Sequence, residues 1–209
     1  MVEIVLRAPA KTFILGEYAV LSHGQALLVN TQPEFALKVA LTHGGDCRGI
    51  HPQSPAGRWI REHRFLFQEL DIEFIDPYEG KGGLGASSAQ FLLVYYLQKL
   101  LDERGLGQIH QVSLTQLLRD YKNFSHQGKG IEPSGADVLS QRIGGMAFVN
   151  VENAIGTTLS WPFVEKDFFI VRTHEKCSTH VHLETLKNRD FSSVAVWVEK
   201  GMDSVRNSD

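Results

Sequence analysis

Residues 81–89 read Lys81-Gly82-Gly83-Leu84-Gly85-Ala86-Ser87-Ser88-Ala89, and the fold is read from this stretch. A β-rich segment, Ile72-Glu73-Phe74-Ile75, leads into it, and a strongly apolar run from Phe91 to Leu101 leads out. Three glycines in four positions let the backbone turn tightly and approach a ligand with no Cβ in the way. The residues that follow open a helix, whose first N–H groups lack intrahelical acceptors and lie at the positive end of its dipole. A phosphate group suits such a place. Ser87 and Ser88 stand where the helix begins, and either hydroxyl can cap it or reach a phosphate oxygen or Mg²⁺. Three commoner loops are excluded. No Gly-Lys-Ser/Thr closes a Walker A loop, the third glycine of the dinucleotide fingerprint is missing, and no glycine follows either serine at nucleophile-elbow spacing. A helix cap after a glycine turn is the plain structural alternative.

On the C-terminal side, Leu92, Leu93, Tyr96, Leu97, Leu100 and Leu101 recur at helical spacing, which predicts a largely buried helix over 87–101. Ser113 with Gln116 matches a capping box and opens a second helix to about Phe124. Pro133-Ser134-Gly135-Ala136-Asp137 then introduces a short helix ended by Gly144-Gly145. Asp137 falls in its first turn, where the helix dipole already favours a carboxylate. Met146–Val151 and Thr158–Phe163 read as a hairpin, Phe168–Thr173 as a strand, and helices are predicted from about residue 180 and over 191–205. His180 and His182 share no helical face and lack zinc-site spacing.

On the N-terminal side, residues 2–7 read as a strand that Pro9 interrupts and Phe13–Leu15 resumes, before Gly16-Glu17 turns the chain. Lys11 and Glu17 are charges inside an apolar stretch, costly there unless paired or facing a site. A solvated lysine on an edge strand is the alternative. Ala26–Asn30 and Phe35–Leu41 read as two strands split by Gln32-Pro33, and 43–57 as a loop or hairpin tip. Arg58, Arg61, His63 and Arg64 form either a solvated helix face or an anion-facing cluster.

The chain has 209 residues, 43% of them apolar and 22% charged, enough for a sizeable core in one large domain or two small ones. A net charge of −3 argues against general nucleic-acid binding and leaves room for a small anionic substrate met by local cations. Cys47 and Cys177 are the two cysteines, expected to stay reduced in a cytoplasmic protein. The sequence predicts neither an export signal nor a membrane span.

Three segments together resemble one family, the GHMP small-molecule kinases. They are Ala8-Pro9-Ala10-Lys11 through Gly16-Glu17-Tyr18-Ala19-Val20-Leu21, then Gly83-Leu84-Gly85-Ala86-Ser87-Ser88-Ala89, then Pro133-Ser134-Gly135-Ala136-Asp137 with Gly144-Gly145. Their order and spacing agree with the family over most of residues 1–185, and the sequence looks most like the mevalonate-pathway branch. The resemblance implies an α+β fold, with a ribosomal-protein-S5-domain-2-like ATP-binding domain over 1–163 and an incomplete ferredoxin-like domain over 164–209. It implies ATP and Mg²⁺, with phosphates over Lys81, Gly82, Gly83, Leu84, Gly85, Ala86, Ser87 and Ser88, and Ser87 helping to hold the metal. Asp137 is implied as general base or orienting carboxylate and Lys11 as the cation beside it. Glu17, Tyr18, Ser134, Gly135 and Thr179 are implied on the substrate side.

The acceptor so implied is phosphomevalonate in isoprenoid precursor synthesis, with mevalonate as the alternative. Two departures bear on this expectation. Mevalonate kinases place a Mg²⁺-binding Glu eleven positions before the catalytic Asp, where this sequence has His126, and Glu132 replaces it only if the loop is rearranged. The family's third glycine-rich motif is also absent from these residues. The expectation is then a shortened product or a natural relative, active or catalytically silent, that pairs as a homodimer through its partial core.

Overall fold

The computed structural model describes residues 3–42, 45–102, 112–128, 131–161, 165, 169–171 and 191–207. One long strand, β2 (Gln25–Leu41), forms the spine of a six-stranded sheet. On one edge it pairs antiparallel with β1 (Glu3–Leu15) along nearly its whole length. Its other edge is shared. Ala36–Leu41 pair with β4 (Leu70–Ile75), and Gln25–Val29 pair with β5 (Met146–Asn150). A two-residue β3 (Cys47–Arg48) lies parallel to β4, and β6 (Ile155–Leu159) closes a hairpin with β5.

Both long strands correct the sequence reading, which broke each of them at a proline. Pro9 and Pro33 fall in the same gap of the ladder, between the pairs Ala8↔Phe35 and Ala10↔Thr31. Proline has no N–H to give a ladder, so a gap is where a strand tolerates it. Two prolines facing one irregularity bend the strand pair without ending either strand. The hairpin forms, but its second strand runs Ile155–Leu159 where the sequence reading placed it over Thr158–Phe163, whose last two residues lie outside the described residues. Phe169–Val171, read as strand, lie outside any strand, and the remainder of that segment, with His180 and His182, lies outside the described residues.

One sheet face carries α1 (Pro55–Glu62), α2 (Arg64–Phe67), α3 (Ala86–Asp102), α4 (Leu114–Ser125) and α5 (Ala136–Ile143). Ser113 caps α4 as the sequence predicts, accepting from Gln116 N–H at 3.5 Å, and the structure adds a cap on α1, where Ser54 accepts from Gly57 N–H at 3.1 Å. Phe91, Leu92, Leu93, Val94, Tyr95 and Leu97 of α3 are all buried, with Trp59, Phe91, Tyr95, Tyr121 and Phe124 in a web of edge and tilted ring contacts. The opposite face is covered by a 3₁₀ turn (Ala19–Ser22) and by α6 (Ser192–Arg206), whose Val198 and Met202 pack on Leu27, Met146 and Phe148. Leu27 and Leu28 are each fully buried, on opposite faces, which explains the unbroken apolar run at this point of β2. Each contributes about 1.5–3 kcal/mol of burial.

Among the described residues no helix is long and apolar enough to cross a membrane. Leu28→Ala is expected to lower the free energy of unfolding by about 2–5 kcal/mol, as buried Leu→Ala changes do. Leu41→Ala, on the same strand but 63% exposed, should change it by no more than about 0.5 kcal/mol. Urea denaturation of the two variants checks the contrast.

Candidate active site

Helix α5 presents Asp137, Ser140 and Gln141 at i, i+3 and i+4, which places them on one face. That face meets β1 at Pro9 and Lys11 directly, and at Ala10 through Asn30 of β2. The Lys11 ammonium stands 3.1 Å from Asp137 Oδ2. Asn30, the register partner of Lys11, donates from Nδ2 to Ser140 Oγ at 3.0 Å and lies 3.5 Å from Ala10 O. Gln141 Nε2 donates to Pro9 O at 2.8 Å and to Gly85 O at 3.1 Å. The glycine loop joins on the other side, where Lys11 N–H donates to Leu84 O at 3.0 Å. Lys11, Gly85 and Asp137 therefore meet in one place, although far apart in sequence.

The Lys11 side chain is 8% exposed and that of Asp137 34%. The ammonium is shut into the protein and needs a counter-charge, while the carboxylate opens to solvent. Lys11 also lies over the Phe13 ring, 4.8 Å from its centroid. Burial, then the nearby Asp137 carboxylate, push the Tyr121 phenol above its usual range, so Tyr121 stays a neutral wall of the site.

Gly85 precedes α3 with φ +85°, a backbone that favours glycine. A Cβ there would come within 2.9 Å of Lys11 Cγ and 3.1 Å of its Cε, so the loop packs directly on the lysine stem. Ser88 is buried and its hydroxyl donates back to Gly85 O at 3.0 Å, whereas Ser87 is exposed in the first turn of α3. Beside the loop opens a cavity of about 460 Å³, whose lining includes Phe35, Phe74, Tyr78, Lys81, Ser87 and Gln90. Tyr78 is fixed there by its hydroxyl on Pro33 O at 2.7 Å, and Gln90 donates to Gly49 O at 2.9 Å. Gly82 and Leu84 line the same cavity, as does Ala86. Gly83 is exposed at the turn between them, and Lys81 is ion-paired with Glu79.

Mg²⁺ is commonly held by one or two protein groups plus substrate phosphates, rather than by an all-protein cage. The exposed Ser87 hydroxyl beside the loop fits that mode, and among the described residues no cluster of three or more His, Cys, Asp or Glu side chains forms a separate site.

The other implied residues lie as follows. Gly135 is the cap of α5, and Ser134 Oγ accepts from Ala136 N–H at 3.3 Å. Glu17 is exposed, and Tyr18 stacks on Phe191 just before α6, with ring centroids 5.4 Å apart. Glu132 is paired with Lys122 at 2.9 Å and His126 ends α4. Thr179 lies outside the described residues. Of the cation cluster, Arg61 and Arg64 are exposed, and Arg58 is half-buried. The sequence reading missed Gln141, Ser140 and Asn30; the one signal for Gln141 was its position a helical turn after Asp137.

With this geometry in place, three solved structures are informative. The chain is similar to Streptococcus pneumoniae phosphomevalonate kinase, determined in complex with phosphomevalonate and AMPPNP. That likeness has a TM-score of 0.72 and 14% identity over 99% of this chain and 75% of that one. It is similar to Methanococcus jannaschii mevalonate kinase, with a TM-score of 0.60 and 13% identity over 98% and 73%. Homoserine kinase from Cytophaga hutchinsonii gives 0.59 and 16% over 98% and 66%. No protein-family model matches the sequence, and no curated protein does. The chain has the GHMP kinase fold, an α+β architecture, as the three motifs implied.

Gly85→Ala is expected to lower stability by about 2–4 kcal/mol, combining left-handed strain with over-packing against Lys11. Gly83→Ala, where an added Cβ meets nothing within 4 Å, should cost only the strain, about 1–2 kcal/mol. Equal losses in denaturant titrations would show that Gly85 does not pack on the lysine.

Proposed function

We propose that this protein is an ATP-dependent small-molecule kinase, with phosphomevalonate as first candidate acceptor and mevalonate as second. The observation that carries the reading is the Lys11–Asp137 pair at 3.1 Å, held against the Gly85 loop at the start of α3. A GHMP kinase fold supports it, and the order of acceptors follows from His126, which stands where mevalonate kinases place a Mg²⁺-binding Glu.

In such a reaction an acceptor oxygen bonds to the γ-phosphorus, the bond to the β,γ-bridging oxygen breaks, and ADP leaves with the electron pair. The loop N–H groups and the α3 N-terminus receive nucleotide phosphate. Ser87 would help to hold Mg²⁺, which would supply neutralisation of phosphate charge. The cavity lined by Phe35, Phe74 and Tyr78 offers apolar and aromatic surface beside the loop for a base. Lys11 faces the charge that develops in transfer, and Asp137, the more exposed partner, faces the acceptor.

The two acceptors ask different things of the pair. A hydroxyl must lose a proton, which Asp137 can accept. A phosphate monoester loses its second proton near pH 6 and is already an anion. For it, Asp137 chiefly orients Lys11, and the ammonium carries more of the work.

ADP release measured with 5-phosphomevalonate, mevalonate and homoserine tests this directly. Turnover is expected with 5-phosphomevalonate. Asp137→Asn should cost about 10²–10⁴-fold with a hydroxyl acceptor, and Lys11→Met should be the more damaging change with a phosphate acceptor. Nucleotide binding without turnover on any of the three would leave a nucleotide-binding protein instead. A fully active Asp137→Asn would remove that carboxylate from the mechanism.

A further inference from the structure

We propose that Gln141 is a positioning residue: its carboxamide clasps the strand bearing Lys11 to the glycine loop, and so fixes where the Lys11 ammonium stands. This rests on the kinase reading above. The side chain is 4% exposed and spends its amide hydrogens on two carbonyls from different segments, Pro9 O at 2.8 Å and Gly85 O at 3.1 Å. Pro9 lies in the gap of the β1–β2 ladder, so Gln141 meets a carbonyl at the point where strand pairing lapses. Gly85 is the residue on which the Lys11 stem packs. The clasp therefore spans the lysine: one end is two residues before it in the strand, the other is the loop surface under its Cγ and Cε.

The same helix face holds Lys11 itself through Asp137, one turn earlier. Strand, loop and ammonium are thus referenced to one rigid element. Without the clasp β1 can shift against the loop, and the ammonium moves relative to loop N–H groups that stay on α3. Burial with one end unmet points the same way. Gln141 Oε1 is buried without a hydrogen-bond partner, a cost that an apolar residue would avoid. What the polar side chain supplies is the two-carbonyl clasp.

Gln141→Met keeps length and volume and removes both donors. It is measured in the full chain and again in the Lys11→Met background, with ADP release, KM for ATP and melting temperature read in each. Expected is a loss in kcat of about 10²-fold with KM for ATP little changed, as for a misplacement near 1 Å. In the Lys11→Met background the further loss should fall within about twofold. The same loss in both backgrounds, or none in either, overturns the proposal.

A second readout needs neither turnover nor nucleotide: the rate at which Lys11 is acetylated by an N-hydroxysuccinimide ester, followed by peptide mass spectrometry. Release of the clasp should speed Lys11 alone by about tenfold, the scale of a local opening eased by 1.4 kcal/mol. An unchanged Lys11 rate overturns the proposal even if the wild type transfers no phosphate, whereas a silent wild type with a faster Lys11 overturns only the kinase reading. Should Gln141→Met not fold, Gln141→Asn, which keeps the amide but shortens its reach, is read by the same outcomes.

Discussion

An ammonium on a side chain that is 8% exposed is costly to bury without a counter-charge, and the acidic group the structure brings to Lys11 among the ion pairs described is Asp137. The pair is asymmetric. Removing the carboxylate strands a buried ammonium; removing the lysine leaves a carboxylate that water can reach. The fold must therefore bring α5 to β1 with its first turn facing the strand. Asp137 on Lys11, Gln141 on Pro9 and Ser140 on Asn30, which reaches Ala10 O, show how closely it does so. A glycine loop could sit on many sheets, but this juxtaposition sets beside it a buried lysine and a carboxylate open to solvent.

Precision at that point derives from β2. Because its two halves pair with different strands on one edge and with β1 throughout the other, it ties the glycine loop's incoming strand, β4, to β5, the strand that follows α5. Asn30 sits at the junction: its backbone N–H donates to Gly145 O at 2.8 Å, just past α5, while its side chain reaches Ser140 and Ala10. Groups mounted on such crossed, packed elements hold their positions better than groups on free loops.

The parts legible in the sequence were those fixed by local rules. The apolar spacing of α3, the Ser113 cap, the stop at Gly144 and the carboxylate in the first turn of α5 each follow from backbone hydrogen bonding within a few residues. The proline-bearing strands were misread because a breaker signal is local and a ladder gap is not: Pro33 is tolerated only because Pro9 faces the same irregularity. Residue types alone leave Ser87 and Ser88 open; the resemblance implies Ser87 for the metal, and the turn geometry sends the Ser88 hydroxyl back to Gly85. Gln141 was hidden for a deeper reason. A glutamine on a helix reads as surface, and what buries it is the arrival of two segments from elsewhere in the chain.

The second face of the sheet bears on the site as well. Tyr18 follows the β1 strand that carries Lys11, and its ring lies nearly parallel to Phe191, at 14°, immediately before α6. The helix itself is seated by Val198 and Met202 on Leu27 and Phe148, with Arg206 over the Phe148 ring at 4.7 Å and Leu15 against Gly201. Leu15 is the last residue of β1, so α6 packs on the end of the strand whose middle holds the ammonium. Side chains on opposite faces of one strand share a backbone, and a packed interior transmits displacement rather than absorbing it. The polar clasp on one face and the apolar seat on the other therefore both bear on the thirteen residues of β1 that carry Lys11.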